Sequence, residues 1–137
     1  MSNWVKAKVE TLKDVRTDYF EKALANMGFT ANFDVKTVKG AYSSDGNRGC
    51  DCVLFDLRGN NVQIGMSFDD NGDGTTQMTV VSDWYSQSYT PESFMEKFTL
   101  EYNTVKYQDV AASLGMSIES TENLADGRRK IVCRRAA

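Results

Sequence analysis

Three strand-length segments, residues 50–57, 62–68 and 75–84, follow one another with only Arg58-Gly59-Asn60-Asn61 and Asp69-Asp70-Asn71-Gly72-Asp73-Gly74 between them. Linkers so short and so rich in Gly, Asn and Asp reverse the chain tightly, and at this spacing they predict an antiparallel meander. The centre of the chain is therefore committed to sheet, and whatever lies on either side must pack against it.

On the N-terminal side, Val5, Ala7, Val9 and Thr11 alternate with Lys6, Lys8 and Glu10, the period of two that marks a half-buried strand, here over residues 4–11. From Asp14 the apolar positions Val15, Tyr19, Ala23, Leu24 and Met27 form a helical stripe, and Gly28 stands where a left-handed helix stop is wanted. Ala31, Phe33, Val35, Thr37 and Val38 read as the next strand, and residues 40–49 as a loop rich in glycine and small polar residues.

On the C-terminal side, Thr90 is a good N-cap, Pro91 suits the first helical position and Glu92 favours the positive end of the helix dipole. Phe94, Phe98, Tyr102 and Val105 hold one helical stripe, but Val110, Ala111 and Leu114 fall out of phase with it, so a kink or short break is expected near Asn103-Thr104. Met116 and Ile118 open a further strand, and Asp126-Gly127 turns the chain back into a last strand over residues 128–134. The segment Ala25-Asn26-Met27-Gly28-Phe29-Thr30 is echoed by Ala112-Ser113-Leu114-Gly115-Met116-Ser117. Both end a helix and open a strand, and shared glycine capping accounts for the likeness without a duplication.

A chain of 137 residues with 41% hydrophobic and 26% charged side chains forms one domain, residues 1–137, without needing staples. Its N-terminal residues lack the apolar core of a signal peptide and no window approaches a membrane span, which predicts a cytoplasmic protein that does not enter membranes. The three cysteines are an odd number and are expected to be reduced. Histidine is absent, so any catalysis would rest on carboxylates, Lys, Tyr or Cys. Charge is polarised beneath a net value of -3: residues 41–127 carry four basic against fourteen acidic side chains, and residues 128–137 carry five basic and no acidic ones.

Several motifs approach a known chemistry without completing it. Asp69-x-Asn71-x-Asp73-Gly74 matches the first half of an EF-hand loop, but Val80 stands where the bidentate Glu belongs and strands flank it, so a hairpin turn is expected. Cys50-x-Cys52 places two thiols on one face of a predicted strand, with Cys133 a third candidate ligand; three cysteines without histidine fall short of a structural zinc site, and packing as small core residues is the expectation. The glycine-rich loop lacks the Gly-Lys-Ser/Thr ending of a phosphate-binding loop. No metal and no cofactor is expected.

Two surfaces suggest a partner. Trp84, Tyr85 and Tyr89 crowd the junction where a strand gives way to a helix, and exposed aromatics at such a corner anchor protein partners, unless Trp84 instead caps the core. Arg128, Arg129, Lys130, Arg134 and Arg135 lie on or beside the last strand. Were that strand next to the first, Lys6 and Lys8 would extend it into one basic strip able to meet phosphate backbones, although it offers no aromatic for bases to stack on.

Asp83-Trp84, Ser93-Phe94, Tyr102-Asn103-Thr104-Val105, Leu114-Gly115-Met116 and residues 125–134 occur in one order. Together they resemble the uncharacterised family named for hypothetical chloroplast reading frame 35, also called domain of unknown function 1257. That resemblance implies a small protein of the kind found in cyanobacteria, plastids, other bacteria and bacteriophages, and supplies no catalytic residues. The chain departs from it in having no histidine in the Tyr-x-x-Val region and a longer glycine-rich loop before Cys50.

The expectation is thus an α+β domain in which a mainly antiparallel sheet of six or seven strands carries two helices on one face. Its function is expected to be that of a non-catalytic accessory or regulatory protein that binds another protein through Trp84, Tyr85, Tyr89, Arg128, Arg129, Lys130 and Arg134. The alternatives are nucleic-acid binding through the basic last strand and an enzyme using carboxylates such as Asp51, Asp56 or Asp83.

Overall fold

The computed structural model describes residues 4–8, 12–13, 17–40, 46–70, 72 and 75–135. Expectations that fall on Val9 and Thr11, on the helix start at Asp14 and Val15, on residues 41–45 and on Asn71, Asp73 and Gly74 lie outside them. The strands are β1 (Trp4–Lys8), β2 (Leu12–Lys13), β3 (Phe29–Asn32), β4 (Thr37–Lys39), β5 (Asn47–Gly49), β6 (Cys52–Asp56), β7 (Asn61–Asp70), β8 (Thr75–Asp83), β9 (Met116–Asn123) and β10 (Arg129–Arg135). The helices are α1 (Thr17–Asn26) and α2 (Pro91–Ser113).

The meander forms as the turn chemistry requires. At its first corner the Asp56 carboxylate accepts from the backbone N–H of Arg58 and of Asn60 at 2.9 Å each, closing the reversal from β6 into β7. Around it the main sheet runs β1-β8-β7-β6-β3, with β2 also on β8, six strands in all and every pairing antiparallel. Side chains alternate across a sheet, and here the two faces have different covers. Cys52, Leu54, Ile64, Met66, Met78 and Val80 face the helices and form the principal core with Phe20 and Leu24 of α1 and Phe94, Phe98 and Tyr102 of α2. Val53 and Val81 point the other way and are buried with Val38 of the β4–β5 ribbon.

That ribbon corrects the sequence reading of residues 31–38 as one strand. Asn32 Oδ1 accepts from the Asp34 N–H at 2.9 Å, an Asx turn that ends β3 and lets the chain cross to the other face. The ribbon sits close: a Cβ on Gly65 would lie 2.7 Å from Cys50 Sγ and 3.2 Å from Val38 Cγ1, so only glycine fits at that point of β7. Cys50 packs with the ribbon's cluster while Cys52 lies in the helix-side core. The expectation that both thiols share one strand face is therefore overturned, because the chain bends at Asp51 before β6 begins.

α2 begins as read. Thr90 Oγ1 accepts from Ser93 N–H at 3.1 Å and Ser93 Oγ from Thr90 N–H at 2.9 Å, a reciprocal capping box. The expected break near Asn103-Thr104 is absent, and the helix runs unbroken for 23 residues. Of the out-of-phase positions Val110, Ala111 and Leu114, only Ala111 is buried. Phe94, Phe98, Tyr102 and Val105 face the main sheet, whereas Thr104 and Ala111, roughly a third of a turn round, are buried on a second side. The cover there is β9 and β10, which among the described residues pair only with each other and form a separate two-stranded sheet instead of extending the main one. No helix among the described residues is long and apolar enough to cross a membrane.

Candidate protein-binding groove

The hairpin is held to α2 by a polar cluster that no local sequence signal announces. Arg129 Nη2 lies 2.8 Å from Glu101 Oε1, Arg129 Nη1 donates to Thr104 Oγ1 at 3.0 Å, and its Nε donates to Asn123 Oδ1 at 2.9 Å. Thr104 Oγ1 in turn donates to the Leu100 carbonyl at 2.8 Å, and Lys97 Nζ stands 3.4 Å from the same Glu101 oxygen. Only 13% of the Arg129 side chain and 7% of Glu101 remain exposed. Burial pushes the Glu101 carboxyl up, but the hydrogen bond and charge of Arg129, then those of Lys97, outweigh it and hold the group below its ordinary value of 4.5. An ion pair this enclosed fixes the position of the hairpin, and removing one partner would strand the other.

Beside this cluster runs an open groove. One wall is the side of α2 turned away from the sheet, with Asn103, Tyr107, Val110 and Leu114; the other is β10, with Arg129, Ile131 and Cys133. The groove is a cleft of about 660 Å³ near the hairpin tip and one of about 390 Å³ nearer Leu114, with Tyr107, Arg129 and Ile131 lining both. Nine residues of helix put Tyr107 diametrically opposite Phe98. Tyr107, Val110 and Leu114 are 58%, 44% and 66% exposed. An apolar stripe left uncovered beside a walled cleft is the surface a partner would occupy.

The residues expected to bind a partner divide between core and surface. Trp84 is only 5% exposed, with its ring centroid 6.1 Å from that of Phe94, so it closes one end of the core. Tyr89 is half-buried and stacks edge-on against Phe94 at 5.5 Å. Of the three aromatics Tyr85 alone is largely exposed. Arg129 is engaged in the hairpin cluster, Arg128 pairs with Asp126 at 2.6 Å, and Lys130, Arg134 and Arg135 are exposed. The basic strip proposed from neighbouring first and last strands does not form, since β1 pairs with β8 and β10 with β9.

The candidate carboxylates serve as acceptors in the fold. Asp51 Oδ2 accepts from Phe68 N–H at 2.8 Å, Asp56 closes its turn, and Asp83, 2% exposed, caps the 3-10 turn Trp84–Ser86 by accepting from Tyr85 N–H at 3.2 Å. Burial pushes the Cys52 thiol up to about 12, helped by the neighbouring Cys50 and Asp51, and Cys50 is raised by burial and then by Asp51. Both shifts run opposite to the thiolate a nucleophile or a metal ligand needs. No group of three or more metal-ligating side chains occurs among the described residues.

The signal that marks the groove in the sequence is the out-of-phase run of Val110, Ala111 and Leu114, of which Val110 and Leu114 line it exposed beside the buried Ala111, at the end of a helix that does not break. No family model, no curated protein and no solved structure matches the chain.

Proposed function

We propose that the protein is a non-catalytic accessory or regulatory protein of the cytoplasm that binds another protein, and that its contact surface is the groove between α2 and β10. The observation that carries this reading is the set Tyr107, Val110 and Leu114, large apolar side chains exposed together along the last two turns of α2 and lining one groove with β10. The raised thiols of Cys50 and Cys52 and the structural use of Asp51, Asp56 and Asp83 support it against an enzyme built on those groups. Kinship with the chloroplast reading frame 35 family stays part of the proposal as a statement of descent.

The test is affinity capture from the native host with the chain and with a variant carrying Tyr107→Ala, Val110→Ser and Leu114→Ser. Loss of a partner from the variant, with its melting temperature held within a few degrees, is the expected result. Retention of every partner would overturn the reading. Binding to nucleic acid, the second reading, has the exposed Lys130, Arg134 and Arg135 in its favour. It requires a gel shift that weakens steeply with salt.

A further inference from the structure

A sheet of two strands is marginal by itself, and three strands or a packed face are needed to hold one. β9–β10 has its packed face in α2, but it leaves Tyr107, Val110 and Leu114 exposed. The hairpin side chains lining the groove are mostly those of β10, namely Arg129, Ile131 and Cys133. The uncovered stripe of α2 therefore lies beyond β10 and not beyond β9. Among the described residues β10 pairs with β9 alone, so its other edge presents backbone N–H and C=O groups over a stretch of seven residues.

We infer that this edge of β10 takes up an extended segment of another protein as a third strand, one that alternates acidic with apolar residues. The inference rests on the protein-binding reading above and names what is bound. The alternation follows from the pleat. Arg129, Ile131 and Cys133 face the groove, so on an added strand the residues of that side would cover Tyr107, Val110 and Leu114. Lys130, whose partner on β9 is Glu122, and Arg134, whose partner is Ser117, point to the opposite side, are exposed, and would sit across from the remaining residues of the guest, with Arg134 the cation that has no acidic cross-strand partner within the hairpin. Residues 128–137 include no acidic side chain, so a second copy of β10 in any register would set cations against cations or apolar groups, and like charges directly opposite destabilise a pair. An acidic guest gains where a copy loses. Near the hairpin tip the groove also contains Glu96 and Asp126, the latter paired with Arg128, so the acidic stretch belongs along Lys130 and Arg134.

The test titrates the full chain with a synthetic peptide of about eight residues alternating glutamate and valine, followed by isothermal calorimetry and backbone NMR, against a lysine–valine peptide and a single-stranded oligonucleotide. Strand addition predicts binding of the acidic peptide, new exchange protection at alternate amides of β10, and loss of binding on N-methylation at every second peptide position but not at the positions between. Lys130→Glu with Arg134→Glu should weaken the acidic peptide by about tenfold or more and transfer preference to the lysine–valine peptide. Binding indifferent to the N-methylation pattern, or with the peptide helical, would overturn strand addition while leaving the groove as a protein site. Preference for the oligonucleotide, or sedimentation as a dimer that the double charge reversal abolishes, would overturn the acidic guest. Absence of peptide binding together with partner capture that survives the groove variant would overturn both readings.

Discussion

The six-stranded sheet and the β9–β10 hairpin both flank α2, yet they are joined to it by different forces. Against the large sheet α2 sets Phe94, Phe98 and Tyr102, all at most 1% exposed, in one core with both helices and three central strands. Against the hairpin it sets Glu101 and Thr104, which meet one arginine, and the small Ala111, while the large Tyr107, Val110 and Leu114 farther round are left in the open. Apolar burial is strong and indifferent to pH, whereas an enclosed ion pair positions its partners at little net gain and fails if either member is neutralised. The large sheet is thus the stable body, and the hairpin is an attachment whose docking can be separately adjusted.

The largest effect expected is that of Phe98→Ala, which leaves a cavity at the centre of the main core. Urea unfolding should show a loss of about 3–5 kcal/mol. A much smaller loss would mean that the two regions share their stability more evenly than their burial suggests. Gly65→Ala should lower the stability of the whole main sheet by about 1–3 kcal/mol by overpacking. Cys50→Ala should rescue it only in part, because the Cys50 Cβ itself lies 2.8 Å from the added methyl. Thermal melting of the single and double variants checks this.

Glu101→Gln removes the charge opposite Arg129, and about 1.5–3 kcal/mol of local stability should go with it. Hydrogen exchange should speed up in β9 and β10 and stay unchanged in β6 to β8; uniform acceleration would sink the contrast. Acid should do the same reversibly. Because the folded Glu101 carboxyl is held below its ordinary 4.5, the docked state binds fewer protons there, so the contribution is complete above about 4.5 and is lost as pH falls through the lowered value. Leu114→Ser should have the smallest effect on folding, within about 0.5 kcal/mol, because the side chain is 66% exposed. Its consequence belongs to binding, and calorimetry with the acidic peptide would detect it.

Much of the architecture was legible because it depends on residues close together in the chain. The Gly, Asn and Asp turns reverse neighbouring strands, Thr90, Pro91 and Ser93 start α2, and Gly28 at φ +87° ends the turn after α1. These are contacts within a few residues, and backbone sterics and capping chemistry decide them locally. The phase change in α2 was visible too, but periodicity alone does not say whether a stripe ends or a second one begins. Position 84 was ambiguous for a similar reason: an aromatic at a junction reads equally as an anchor or as a plug.

From the sequence alone followed an antiparallel α+β domain, the place of its turns and helix caps, and a basic last strand. Tertiary structure alone decided that this strand belongs to a hairpin apart from the main sheet. It also brought Arg129 to Glu101 across 28 positions, put Trp84 inside, and left Tyr107, Val110 and Leu114 outside. The reason is physical. Local rules set the conformation of each segment, but which face of a helix is buried depends on what else the chain has to cover it with, and the described residues leave Tyr107, Val110 and Leu114 without that cover.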